Sequence, residues 1–149
     1  CLLEGTNISE GRGSESPFKL FGAPWLDNQL LADKLQKYSL PGDKYETISF
    51  TPISLPAAKH PKYEGEECKG IHIITLINPL IWTIHLLQIV HDQHPEQFRI
   101  LESNFIDKLY GSDKLRLSIL NGEGAIRIFE QLKLDEEEFL IKRTNYLIY

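Results

Sequence analysis

Methionine is missing altogether from the 149 residues, and cysteine occurs only twice, at Cys1 and Cys68. Two cysteines so far apart match no metal-binding spacing. Each stands at the edge of an expected strand, so a disulfide between them is one open pairing, provided the strands are neighbours. No apolar run reaches the roughly 20 residues that a membrane-spanning helix needs. The longest candidate, residues 76–90, is interrupted by Asn78, Thr83, His85 and Gln88. A basic-then-apolar leader is also lacking. The chain opens instead on Cys1-Leu2-Leu3, which reads as the inside of a domain and gives the expectation of a fragment or a processed product. A lipidated Cys1 is the alternative, but a polar tether would then be expected to follow. Basic residues are in short supply as well: 16 Lys and Arg stand against 21 Asp and Glu, a formal charge of −5. Polyphosphates are bound mainly through basic side chains, so nucleic acid is a poor match as partner.

What is present suits one globular domain, with 42% hydrophobic and 25% charged residues. A chain of about 150 residues buries roughly 68–70% of its unfolded surface, enough to hold a core without metal or disulfide. Short strands are expected over residues 1–4, 47–53, 70–76 and 97–100. Residues 5–24 and 54–69 read as long irregular stretches, the second carrying the acidic run Glu64 to Glu67, a solvated loop. Leu26, Leu30, Leu31 and Leu35 have helical spacing, and the helix over 26–38 stops at Leu40-Pro41-Gly42. Asn78-Pro79 is an N-cap and first-turn pair. It opens a helix to about residue 91, with Leu80, Ile84, Leu87 and Val90 on one face. Helices follow over 105–110, ended by Gly111, over 112–120, and over 125–132. A last helix is capped by Asp135, with Glu138 completing a capping box. The order predicts an α+β class: one compact domain, a short mixed or antiparallel sheet early, helices packed on it and a helical C-terminal third.

One segment concentrates chemistry. Glu4 to Ser14 sets Thr6, Asn7, Ser9, Ser14, two carboxylates (Glu4 and Glu10) and Arg12 among Gly5, Gly11 and Gly13. Glycines let a backbone turn sharply and approach a ligand closely. Hydroxyls and amides suit sugar hydroxyls, and the guanidinium of Arg12 matches a carboxylate. A surface loop whose polar groups satisfy its own turns is the equal alternative. The segment lacks the Lys that a phosphate-binding Walker loop requires.

The run Cys1-Leu2-Leu3-Glu4-Gly5-Thr6-Asn7-Ile8-Ser9-Glu10-Gly11-Arg12-Gly13, followed by Pro17-Phe18 and Phe21-Gly22-Ala23-Pro24-Trp25, resembles the NamZ family of exo-β-N-acetylmuramidases. The resemblance continues through Cys68-Lys69-Gly70-Ile71-His72-Ile73 and into the ending Phe139-Leu140-Ile141-Lys142-Arg143, Tyr146-Leu147-Ile148-Tyr149. Ser14 departs from the family's Thr and keeps the hydroxyl. The resemblance implies a C-terminal α+β domain, residues 1–149, whose Rossmann-like N-terminal partner lies outside this chain and carries the main catalytic carboxylate. It implies hydrolysis of a terminal β-linked N-acetylmuramic acid from peptidoglycan fragments, in the periplasm or outside the cell, by a bacterial enzyme without a cofactor. Such reactions use two carboxylates. The motif places Glu4 near the cleft as a catalytic candidate, with holding the loop through backbone N–H groups as its other role. Thr6, Asn7, Ser9, Glu10, Arg12 and Trp25 become candidate substrate contacts, Arg12 for the lactyl carboxylate of muramic acid. A non-catalytic carbohydrate- or protein-binding module is the alternative.

Trp25 suits stacking on a sugar face, although an aromatic just before a helix is more often a core anchor. Trp82, between apolar neighbours, is expected in the core. His91 and His94 have a spacing a metal can use, but His at a helix C-terminus also complements the dipole, and no metal is assigned. His72 alternates within a strand and is expected to be structural.

Overall fold

The computed structural model describes residues 1–148. Tyr149, the last residue of the family-like ending, lies outside the described residues. Three antiparallel strands form one sheet in the order β1 (Leu20–Ala23), β3 (Cys68–Thr75), β2 (Lys44–Phe50). Register sets Phe21 and Thr47 beside Ile71, and Tyr45 beside Ile73. Side chains alternate across a strand, so these residues share one face. The helix α2 (Pro79–Gln93) packs there: Trp82 meets Phe21 at 5.7 Å and Tyr45 at 5.4 Å, both edge-on. From Leu86 to Val90 every residue of α2 is buried, the signature of a helix enclosed on all sides. Its neighbours are α1 (Asn28–Leu35), α4 (Lys114–Leu120) and α5 (Gly124–Thr144), while α3 (Phe105–Tyr110) packs on the chain's N-terminal turn. The architecture is α+β, with the sheet early and helices filling the last third.

Local chemistry sets most boundaries. The Asn78 side chain accepts from the Ile81 N–H at 3.1 Å, with Pro79 in the first turn. Asp27 caps α1 by accepting from Leu30 at 3.0 Å. Gly111 ends α3 at φ 97°, a left-handed conformation that glycine adopts without strain.

Several expectations are corrected. Residues 1–4 are no strand: Leu2–Gly5 is a 3₁₀ turn that buries Leu2 and Leu3 together, whereas a strand would send them to opposite faces. Strand β1 lies inside the stretch read as loop, because its four residues are all buried and show no alternation. Residues 97–100 add only the single bridge from Ile100 to Thr6. Leu80 leaves the expected buried stripe and is exposed. The two final helices are one, since nothing between residues 125 and 144 is Gly or Pro to interrupt it. Asp135 is therefore no cap; its carboxylate accepts from Lys114 at 2.9 Å and Gln131 at 2.7 Å, which holds its pKa below the usual carboxylate value. The cysteines are unpaired: Cys1 is exposed, whereas Cys68 is buried and its thiol is pushed up to about 11 by burial.

Candidate functional site

The glycine-spaced segment lies against the body of the domain, and its glycines approach the protein's own elements. A side chain at Gly5 would stand 2.5 Å from the Ile106 backbone nitrogen in α3. Gly13, at φ 79°, leaves no room beside the Ile53 carbonyl. The short polar side chains are likewise turned inward. Thr6 has no exposed surface; its hydroxyl donates to the Leu3 carbonyl at 2.9 Å and accepts from the Ile8 N–H at 3.2 Å. Buried Ser9 accepts from the Gly11 N–H at 3.3 Å, and its backbone pairs with Gly22 in β1. Asn7 uses both ends of its amide on one neighbouring segment. Its Nδ2 donates to the Gln97 carbonyl at 2.8 Å, and its Oδ1 accepts from the Arg99 N–H at 2.8 Å.

The charged residues of the segment meet at one rim. Arg12 Nη2 donates to Glu4 Oε2 at 2.9 Å, and Arg12 Nε stands 3.3 Å from Glu10 Oε1. The guanidinium lies over the Phe18 ring, 5.0 Å from its centroid, a cation–π contact. Among the described residues Nη1 makes no hydrogen bond, and 43% of the Arg12 side chain is exposed. Glu10, only 8% exposed, is held from the other side by Lys62 Nζ at 2.8 Å. Two anions and two cations thus share the rim. A small pocket of ≈ 120 Å³ runs from Glu10 and Phe18 inward to Trp82. A wider groove of ≈ 580 Å³ lies between Gly13-Ser14-Glu15 and Ile48, Phe50, Ile53 and Leu55.

Trp25 is half-buried. Its indole N–H donates to the Tyr63 hydroxyl at 3.0 Å, and its ring meets His94 edge-on at 5.3 Å. Burial raises the pKa of Tyr63 and lowers that of His94, so both are neutral near pH 7. Sequence reasoning missed Lys62. It sits in the stretch read as an irregular acidic loop, and the backbone carbonyls it binds leave no trace in side-chain composition. His91 contacts Asp92 at 3.3 Å, and His72 contacts Glu46 at 3.0 Å. No group of three or more His, Cys, Asp or Glu among the described residues is arranged to hold a metal ion.

A family model described as exo-β-N-acetylmuramidase NamZ, C-terminal, matches residues 1–149. The chain belongs to this family. It is also similar to the peptidoglycan β-N-acetylmuramidase NamZ of Bacillus subtilis (strain 168), with 34% identity over 152 residues. That match takes in 99% of this chain but only 35% of the relative. Two crystal structures of DUF1343 family proteins from Bacteroides fragilis share the fold. One has TM-score 0.66 at 30% identity, over 100% of this chain and 38% of its own. The other has TM-score 0.80 at 20% identity, over 99% of this chain and 40% of its own, and speaks for the fold alone.

Proposed function

We propose that this chain is the substrate-binding C-terminal part of an exo-β-N-acetylmuramidase, a glycoside hydrolase that removes terminal N-acetylmuramic acid from peptidoglycan fragments. The whole enzyme works in the periplasm or outside the cell, and an N-terminal domain brings the main catalytic carboxylate. No helix among the described residues is long and apolar enough to cross a membrane.

The single observation that carries this reading is the state of Arg12. Its Nε and Nη2 edge is taken by Glu10 and Glu4, while Nη1 and a large share of its surface remain open. N-acetylmuramic acid differs from N-acetylglucosamine by a lactyl carboxylate, and a guanidinium edge is matched to a carboxylate in shape and charge. Glu4, 20% exposed beside Arg12, is the carboxylate of this wall best placed to serve the reaction, as the second of the pair that glycoside hydrolysis uses. Thr6, Asn7, Ser9 and Glu10 act on the sugar indirectly, by fixing the path of the segment that presents Glu4 and Arg12. Trp25 contributes the exposed part of its indole.

The test is hydrolysis of matched β-muramyl and β-glucosaminyl substrates by the full-length protein carrying Arg12→Ala. The muramyl substrate is expected to lose about 10- to 100-fold in kcat/KM, as removal of a charge-assisted contact does, with a much smaller loss on the glucosaminyl one. Equal losses on both would contradict the role given to Arg12.

A further inference from the structure

Lys62 is the least exposed cation of the rim, with 25% of its side chain accessible, and it reaches the motif from a loop more than fifty residues away. An ammonium group has three N–H donors. Here each has a close acceptor: the Leu3 carbonyl at 3.0 Å, the Ile8 carbonyl at 3.1 Å and Glu10 Oε2 at 2.8 Å. The Glu4 carbonyl follows at 3.5 Å. With all three donors committed, Lys62 has none to offer a substrate. Its acceptors instead bracket the arc from Leu3 to Glu10, the stretch that places both carboxylates around Arg12.

Charge completes the picture. Glu4 and Glu10 both face Arg12, at 2.9 and 3.3 Å. With those groups alone the rim would be net negative, and Arg12 would be no more than their counter-ion. Lys62 takes one Glu10 oxygen and brings the four groups to neutrality. An arriving carboxylate then meets an open guanidinium edge without a surplus negative charge behind it. We infer that Lys62 is a positioning residue that keeps Arg12 available to an anionic sugar, by anchoring the Leu3–Glu10 arc and offsetting the charge of Glu10. This rests on the reading of Arg12 given above and adds the residue on which that reading depends.

The experiment measures calorimetric binding of N-acetylmuramic acid and N-acetylglucosamine to the full-length protein, together with its melting temperature. Wild type is expected to prefer N-acetylmuramic acid, and Arg12→Ala to abolish the preference. Lys62→Met should weaken N-acetylmuramic acid binding about tenfold, leave N-acetylglucosamine nearly unchanged and lower the melting temperature. Adding Glu10→Gln to Lys62→Met should restore most of the preference while the melting temperature stays low, because the Leu3 and Ile8 carbonyls still lack their donor. That split is one a merely structural lysine does not produce. Glu10→Gln alone, which keeps Lys62, should tighten N-acetylmuramic acid binding, and it decides the matter if Lys62→Met fails to fold. Equal weakening of both sugars by Lys62→Met with no recovery in the double variant overturns the inference, as does weaker N-acetylmuramic acid binding by Glu10→Gln. A preference lost in Arg12→Ala but kept in Lys62→Met sinks the role of Lys62 and spares that of Arg12. A wild type without any preference removes both.

Discussion

Asn7 shows how the polar residues of the motif are spent. Its amide copies a backbone edge, donating to Gln97 and accepting from Arg99, so it ties the motif to the segment after α2. Asn7→Ala removes both bonds from a half-buried place, and each such bond is worth about 0.5–1.5 kcal/mol net. The expected loss is about 1–2 kcal/mol in urea unfolding; a change below about 0.3 kcal/mol would contradict the clasp. From the sequence, Thr6, Asn7 and Ser9 read equally well as sugar contacts or as turn-forming residues, because composition does not say which way a side chain faces. Once folded, their hydrogen bonds go to backbone groups of the protein. Lys62 was hidden for a related reason: most of its partners are carbonyls, which every residue type carries alike.

The elements were more legible where a local signal marks them. Asn78-Pro79 and Gly111 announce helix ends by stereochemistry that acts within a turn, and α2 and α3 lie where those residues put them. Strand β1 gave no such signal, since all four of its residues are buried: β3 pairs along one edge, Ser9 bridges Gly22 on the other, and Trp82 of α2 packs on Phe21. The charged run around Asp135 resembled a helix start, yet an unbroken stretch of good helix formers carried the helix through it. The tightest constraint in the sheet is Gly70, paired with Gly22 across β1 and β3. A side chain at Gly70 would collide with the Phe21 carbonyl and the Gly22 backbone. Gly70→Ala is therefore expected to part β1 from β3 and to cost about 2–3 kcal/mol or more in denaturant unfolding. A loss under about 0.5 kcal/mol would show that the strands are not so closely apposed. Because β1 also pairs with Ser9, the same substitution is expected to disturb the motif segment.

At the scale of the whole molecule, the chain spans 35% of the Bacillus subtilis relative it matches. The rim agrees with the proposal that a further domain is needed: it offers one partly exposed carboxylate, Glu4, beside Arg12, where glycoside hydrolysis takes two cooperating carboxylates. The proposed division of labour has this domain bind and orient the muramyl sugar while an upstream domain completes the reaction. The most direct measurement is turnover of a chromogenic β-N-acetylmuramide by the full-length protein beside residues 1–149 alone. Release of the chromophore by the full-length protein and none by the isolated domain is the predicted result. Turnover by the isolated domain, or none by the full-length protein, would contradict it.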